Sequence, residues 1–185
     1  MVAEHLGWKL LDRSLIDKIA RIAGVDPDVA RACDEHVDSW MHRISKPFWQ
    51  GDVGAVVTLT PVDVFDAESM SRMTSEVIEE ACGAGNCVIV GRGAQCVLHG
   101  REGVLHAFVY APWADRVRRI QERLHTRDSV DRVIRDTDAA RAAYVRLYFG
   151  RNWDDRRLYD LMISSHPGSA ATASLILRAL EQSPL

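Results

Sequence analysis

A short and wholly apolar run, CVIV at residues 87–90, lies between GAG at 83–85 and GRG at 91–93. Such a run is typical of a strand in a parallel sheet, because helices cover both faces of that sheet and leave the strand no solvated side. Three further segments favour strands, at residues 8–11, 104–111 and 158–164. Helical segments separate the four strands, and this alternation predicts an α/β fold with a mainly parallel sheet.

The helical segments are recognised by apolar residues that recur at helical spacing. They cover residues 2–6, 15–23, 27–44, 64–82, 112–125, 129–149 and 170–180. Residues 46–61 are irregular, apart from a further short strand-like run at 56–59. The chain of 185 residues shows no internal repeat and no boundary between two cores. We therefore expect a single domain over residues 1–185.

Several classes of protein do not fit the sequence. It contains no run of about 18 apolar residues that would span a membrane, and its N-terminus lacks the basic and apolar regions of a secretory signal. We therefore expect a cytoplasmic protein with no membrane partner. Cys33, Cys82, Cys87 and Cys96 form no CxxC pair, which favours reduced thiols over a disulfide or a metal site.

The formal net charge of −3 is unevenly distributed along the chain. Residues 1–91 carry 8 basic and 15 acidic side chains, whereas residues 92–185 carry 15 basic ones, all arginine, and 11 acidic ones. Arginine binds phosphate groups bidentately through its planar guanidinium, so the second half suggests an anionic ligand. Exposed helices with solvated arginines are the alternative. An overall acidic chain does not favour a nucleic-acid partner.

Polar residues follow the predicted strands at the edge where parallel α/β sheets bind ligands. Asp12 and Arg13 follow the first strand, and Arg92 follows CVIV. Pro112 opens a helix directly after the strand at 104–111. The glycines on either side of Arg92 permit a sharp turn or the close approach of a ligand. Together these positions predict a binding crevice, although GRG taken alone is more typical of an ordinary loop.

Arginines recur at helical spacing in two of the predicted helices. The two sets are Arg116, Arg119 and Arg123, and Arg135, Asp138 and Arg141. In the second set, a carboxylate between two arginines could orient them or accept a hydrogen bond from a ligand. The alternative is a solvated helix face whose ion pairs contribute only about 0.2–0.5 kcal/mol each. The run SSH at 164–166 precedes a proline and a glycine, which favours a turn over a hydrolase nucleophile.

Four segments occur in an order that resembles the cytidylate kinase-like family of P-loop nucleoside monophosphate kinases. They are GWKLLDRSLIDKIARIAGV at 7–25, GNCVIVGRGAQCVL at 85–98, VLHAFVYAPWADRVRRI at 104–120 and IRDTDAARAAYVRLYFGRNWDDRRLYDLMISS at 134–165. The resemblance covers most of residues 3–180 and implies a three-layer α/β fold, in which helices flank a P-loop kinase-like parallel sheet. The sequence contains no GxxxxGKS/T motif, the signature of the phosphate loop. The first, central strand and this loop are therefore expected to be missing or replaced.

The family transfers a phosphoryl group from ATP to a nucleoside monophosphate, so the resemblance implies Mg-ATP as cofactor and small-molecule nucleotides as partners. It also assigns roles to individual residues. The implied catalytic residues are Arg119 and Arg141, and the implied substrate-binding residues are Asp12, Arg13, Lys18, Arg92, Arg116 and Asp138. An acceptor-binding region at about 26–66 and a lid at about 116–157 are implied as well, with no metal-binding side chains.

Two departures from the family pattern limit these expectations. An aspartate follows the GR pair in cytidylate kinases proper, whereas Gly93 stands here, so no preference for cytidine is implied. Without a phosphate loop, this chain is expected to transfer phosphoryl groups weakly or not at all. A start codon assigned too late, a truncated relative and a partner that supplies the strand would each account for the missing loop, and we favour the first.

The sequence leaves a second function open. A chain that keeps the arginine-rich crevice and lacks the phosphate loop also fits a non-catalytic nucleotide-binding or regulatory module derived from such a kinase. A homo-oligomer is a further expectation. The identity of the acceptor base does not follow from the residues.

Overall fold

The computed structural model describes residues 1–12, 61–125 and 129–183. The helices in these ranges are α1 Val2–Leu6, α2 Pro61–Ala84, α3 Ala94–Val97, α4 Trp113–Leu124, α5 Val130–Phe149 and α6 Ser169–Gln182. The strands are β1 Lys9–Leu11, β2 Cys87–Ile89, β3 Ala107–Tyr110 and β4 Leu161–Ser164. A 3₁₀ turn, Arg156–Leu158, precedes β4. The predicted helices at 15–23 and 27–44 and the strand-like run at 56–59 lie outside the described residues.

All strand pairing in the described residues is parallel. β1 pairs with β2, with Leu11 opposite Ile89, and β3 pairs with β4, with Tyr110 opposite Ser164. The strands form two separate two-stranded sheets, and no strand of the described ranges pairs with both. The predicted α/β class with parallel strands and flanking helices is confirmed, and the arrangement is compatible with a P-loop kinase-like fold. The missing or replaced central strand stays a prediction.

Two predicted strand starts were wrong, because the strand expected at 104–111 begins at Ala107 and the one expected at 158–164 begins at Leu161. Residues 158–160 are not part of a strand, because β4 begins at Leu161 after the 3₁₀ turn. The Asp155 carboxylate accepts a hydrogen bond of 3.0 Å from the backbone N–H of Arg157, and the turn buries Leu158 to 1% exposure. A capped turn with a buried leucine has the same apolar content as a strand end, so the composition did not distinguish them. The short helix α3 was not predicted either.

The main core lies between α2 and the first sheet. Leu11 of β1 packs in one cluster with Val77 and Ile78 of α2 and with Ala94 and Leu98 at α3. Full burial of an aliphatic side chain of this size stabilises a fold by about 1.5–3 kcal/mol. This cluster therefore anchors β1 and β2, and with them the turns that follow both strands.

The second sheet is connected to the first through helices. α1 contacts β1, β2 and α6, and α6 contacts β4. α1 ends at Gly7, which has a left-handed backbone conformation, and the Trp8 N–H closes the end by donating to the carbonyl oxygen of Ala3 at 2.8 Å. Within residues 1–12, 61–125 and 129–183, no helix combines the length and the apolar character that a membrane span requires.

Candidate active site

A paired arginine and aspartate connect helices α4 and α5. Nη1 and Nη2 of Arg116 donate to the two carboxylate oxygens of Asp138 at 2.6 and 2.7 Å. The two side chains are only 29% and 26% exposed. Such a bidentate, charge-assisted pair is stronger than a neutral hydrogen bond and fixes the orientation of both groups. The structure thus brings together two of the residues that the sequence singled out.

Arg141 lies on the other side of the same carboxylate. Its Nη1 is 3.5 Å from Oδ1 of Asp138, and its guanidinium carbon is 5.9 Å from the ring centroid of Trp153. Trp153 packs edge-on against Phe108 of β3, with ring centroids 5.4 Å apart. Arg141 therefore faces the second sheet, with Asp138 and Trp153 as its two neighbours.

Tyr159 holds Trp153 and Phe108 in place. The hydroxyl of Tyr159 donates to the backbone carbonyl of Trp153 at 2.7 Å, and its ring lies 4.9 Å from that of Phe108. Burial raises the pKa of Tyr159 to about 12. The phenol consequently stays protonated at neutral pH and remains a hydrogen-bond donor.

Arg119 points to the end of β4 instead of to Asp138. Its Nη1 donates to the Ser165 hydroxyl at 2.8 Å, and its Nη2 donates to the Ser165 carbonyl at 2.6 Å. The Ser165 N–H donates to the carbonyl of Tyr110 at 2.7 Å, which ties this turn to the end of β3. Arg116 and Arg119 share a helix, yet they contact different elements. Of the SSH run, Ser164 ends β4 and His166 begins the predicted turn, and Ser165 between them holds Arg119.

Asp115 and His166 form a second link between α4 and this turn. Oδ2 of Asp115 lies 2.5 Å from Nδ1 of His166, and Arg118 lies 3.2 Å from the other carboxylate oxygen. The hydrogen bond with His166 lowers the pKa of Asp115, and the positive charges of His166, Arg118 and Arg119 lower it further. The first turn of a helix also favours a negative charge.

This lowered pKa predicts an acid-dependent loss of stability. Because the carboxylate titrates lower in the folded chain than in the unfolded one, its contribution is present above about pH 4 and is lost as the pH falls through the folded value. In urea denaturation between pH 2 and pH 6, Asp115→Asn should therefore lose less stability on acidification than the wild type. Asp155, whose pKa Arg157 lowers to about 2, titrates in both proteins, so the comparison isolates Asp115. Equal slopes in the two proteins would contradict this prediction.

Asp12 and Arg92 lie at the end of the first sheet. Asp12 is exposed directly after β1, and the Val90 N–H donates to the Leu11 carbonyl at 2.9 Å beside it. Arg92 has a φ of 58°, between Gly91 and Gly93 with φ of 73° and 72°. A left-handed conformation is uncommon for a residue other than glycine and is concentrated at functional sites. The predicted residues Arg13 and Lys18 lie outside the described residues.

The turn that carries Arg92 is in close contact with the end of α5. A Cβ atom on Gly93 would lie only 2.2 Å from Cε2 of Phe149. The sequence predicted that the glycines beside Arg92 permit the close approach of a ligand. At Gly93 the group in close contact is the ring of Phe149, from the same chain. Because α5 also carries Asp138 and Arg141, this contact connects the ends of the two sheets.

The sequence did not identify three residues of this site. Trp113 begins α4 and remains 43% exposed, Ser165 binds Arg119, and Phe149 packs on Gly93. Only Trp113 carries a sequence signal, since it follows a proline directly after a predicted strand. The other two contacts join residues more than 40 positions apart, which no local pattern shows.

Among the described residues, no group of three or more His, Cys, Asp and Glu side chains is arranged to hold a metal ion. Cys82, Cys87 and Cys96 are free and half-buried. Burial raises the pKa of Cys87 and Cys96, which keeps them as thiols at neutral pH. Cys33 lies outside the described ranges.

Comparisons with known proteins agree with this architecture. The model of a family described as the cytidylate kinase-like family matches residues 1–167. No curated protein matches the sequence. A crystal structure of an uncharacterized protein from Eubacterium ventriosum is similar with a TM-score of 0.67 and 17% sequence identity. The match covers 98% of this chain and 88% of that one, and at this identity it shows a shared fold.

Proposed function

The chain belongs to the cytidylate kinase-like family, and we propose that it is a phosphotransferase that moves a phosphoryl group from ATP to a nucleoside monophosphate. Family membership itself indicates a nucleotide kinase-like function. The direction of transfer, the monophosphate acceptor and the residues that act on it are our proposal.

The observation that carries this proposal is the cluster at the ends of β3 and β4. Three guanidinium groups, those of Arg116, Arg119 and Arg141, are held there by one carboxylate and by the turn at Ser165. Phosphoryl transfer depends on positioning and on positive charge around the transferring group far more than on covalent chemistry by the protein. A cluster with excess positive charge, fixed by hydrogen bonds, meets both requirements.

The roles that we propose within this cluster are those that the resemblance to the family implies. Arg119 and Arg141 would act on the transferring phosphoryl group, while Arg116 and Asp138 would bind substrate and set the orientation of Arg141. At the first sheet, Arg92 would hold the acceptor phosphate and Asp12 would contact the acceptor nucleotide. Arg13 and Lys18 keep the acceptor roles that the resemblance implies.

Magnesium would enter this reaction with ATP. The described residues hold no metal-binding cluster, and the sequence contains no GxxxxGKS/T loop. No group of residues observed in the structure therefore marks where the ATP phosphates would bind. We derive no step that passes through the ion. The acceptor region at 26–66, the lid at 116–157, the cytoplasmic location and a homo-oligomer stay predictions.

A second function is favoured by one specific observation. Because the sequence lacks a phosphate-loop motif, the chain could bind a nucleoside monophosphate without transferring a phosphoryl group, as a regulatory module would. The two proposals differ in whether ATP binds. Isothermal titration calorimetry with CMP and with ATP separates them, since a module of this kind would bind the monophosphate alone.

The enzyme proposal is tested by a transfer assay with CMP, dCMP and other nucleoside monophosphates as acceptors. The chain of 185 residues and a version extended upstream in its gene are both assayed, and we expect weak transfer by the first because it contains no GxxxxGKS/T motif. Absence of transfer in both versions would refute the enzyme proposal. Monophosphate binding without transfer would leave the regulatory module as the function.

The role of Arg92 has its own test. Arg92→Gln is expected to weaken the binding of the accepted monophosphate about tenfold or more, because a hydrogen-bonded charge is lost from the phosphate. Arg101→Gln is the matched control, since Arg101 is an exposed arginine that follows α3 outside the cluster. Equal dissociation constants for the two variants would show that Arg92 does not contact the acceptor phosphate.

A further inference from the structure

Trp113 occupies an unusual position at the edge of the arginine cluster. It is the first residue of α4, three positions after the end of β3, and 43% of its surface is exposed. Two guanidinium carbons lie near its ring, that of Arg116 at 5.9 Å and that of Arg135 at 5.3 Å from the centroid. An exposed tryptophan at the carboxyl end of a parallel strand, beside two cations, lies where such sheets bind ligands.

The neighbouring arginines already have hydrogen-bond acceptors within the chain. Arg116 uses both terminal nitrogens on Asp138. Arg119 uses both on Ser165. Arg141 lies 3.5 Å from Asp138. A ligand that recruits these three groups must share them with their present partners.

Arg135 differs from these three. Its side chain is exposed, and among the described residues its contact is the ring of Trp113, with no carboxylate within ion-pair distance. An aromatic ring attracts a guanidinium through its quadrupole and accepts none of its in-plane N–H donors. The planar donor fork that suits a phosphate group remains available.

Arg135 also has the right location for a shared ligand. It precedes Asp138 by one turn of α5, so the two residues lie on neighbouring positions of the same helix face. Trp113 connects this face to Arg116 on α4. The group formed by Arg116, Arg135, Asp138 and Arg141 carries three positive charges and one negative charge, which favours an anion.

We propose that Arg135 is a further anion-binding residue of this site, which takes a phosphate group of the bound nucleotide, and that Trp113 is the positioning residue that holds its guanidinium. The inference rests on the proposed nucleotide function. It adds a phosphate contact that is preorganised by cation–π attraction, so less side-chain entropy is lost when the ligand binds.

The test measures anion affinity by isothermal titration calorimetry, with inorganic tripolyphosphate and with the accepted nucleotides as probes. Arg135→Gln should weaken binding about tenfold or more, as expected for the loss of a hydrogen bond to a charged group. Arg135→Lys, which keeps the charge and loses the fork, should fall between this variant and the wild type. The matched control is Arg132→Gln. It removes the same charge about one helical turn from Arg135, at a residue that forms an exposed ion pair with Asp136. Equal effects at positions 132 and 135 would overturn the proposal.

The role of Trp113 is tested by its dependence on Arg135. Trp113→Leu should weaken anion binding about twofold to fivefold in the wild-type background, the range that an exposed cation–π contact implies. In the Arg135→Gln background the same substitution should have a clearly smaller effect, limited to its contact with Arg116, whereas a general structural role would persist there in full. Trp113→Phe, which retains an aromatic face, should restore part of the affinity and also serves if the leucine variant does not fold.

The outcomes separate this inference from the proposed function. Tripolyphosphate binding that depends on Arg135, with no phosphoryl transfer by either the given chain or the upstream-extended version, would support the inference and refute the enzyme proposal. Transfer that is unaffected by Arg135→Gln would support the enzyme and overturn the inference. A wild-type chain that binds neither tripolyphosphate nor nucleotides would overturn both.

Discussion

Replacing Gly93 by alanine is expected to lower the free energy of unfolding by about 2–5 kcal/mol. Gly93 has a φ of 72°, and a Cβ atom in this left-handed region costs about 1–2 kcal/mol. The added atom would also lie 2.2 Å from Cε2 and 2.6 Å from Cζ of Phe149. The ring must therefore move, and overpacking of this kind costs about 1–3 kcal/mol.

Urea denaturation of matched variants separates the two costs. Gly100 has a φ of 74°, and a Cβ atom added there would meet no neighbouring atom within 4 Å, so Gly100→Ala should show the backbone cost alone. Combining Gly93→Ala with Phe149→Ala should destabilise the chain by less than the sum of the single changes, because the clash is then removed. Equal losses at positions 93 and 100 would contradict a close contact with Phe149.

The contact between Gly93 and Phe149 also bears on function, because each residue lies in a segment that carries a proposed binding residue. Gly93 follows Arg92, and Phe149 ends the helix that bears Asp138 and Arg141. A ring displaced by a methyl group would shift the end of α5 relative to the Arg92 turn. We therefore expect Gly93→Ala to weaken monophosphate binding as well as stability, while Gly100→Ala leaves binding unchanged.

The second large effect is expected at the pair formed by Arg116 and Asp138. Arg116→Gln removes two charge-assisted hydrogen bonds of 2.6 and 2.7 Å, so Asp138 keeps only its 3.5 Å contact with Arg141 and is less firmly oriented. If this pair organises the transfer site as we propose, kcat/KM should fall about 100-fold, the cost of a small misplacement of reacting groups. A transfer assay with the upstream-extended chain measures the loss.

A double-mutant cycle measures the pair itself. With Arg116→Gln, Asp138→Asn and the double variant, urea denaturation should give a coupling energy of about 1–3 kcal/mol, since the pair is bidentate and mostly shielded from water. The pair of Arg132 and Asp136 on α5 is the comparison: it is joined at 3.5 Å, with Arg132 77% exposed, and should couple by about 0.2–0.5 kcal/mol. Similar energies for both pairs would show that Arg116 and Asp138 form an ordinary surface ion pair.

Several features of the site could be predicted from the sequence. The placement of Asp12 and Arg92 follows from strands that end at polar residues, because parallel strands present their carboxyl ends on one edge of a sheet. The proximity of Asp138 to Arg141 follows from helical spacing. The partners of Arg116 and Arg119 could not be predicted, because spacing on one helix does not show which neighbouring element each side chain contacts. The packing of α4 determines that Arg116 meets Asp138 and that Arg119 meets Ser165.

By itself, the sequence determined the α/β class, the four parallel strands, most of the helices and the family, because these depend on local apolar periodicity and on the order of motifs. Tertiary structure alone decided that the strands within residues 1–12, 61–125 and 129–183 pair as two separate sheets, that Asp138 pairs with an arginine 22 positions away, and that Phe149 fills the space above Gly93. The physical reason is the range of the interactions. Backbone preferences and helical spacing act over a few residues, whereas the contacts that shape the site exist only after distant elements have packed.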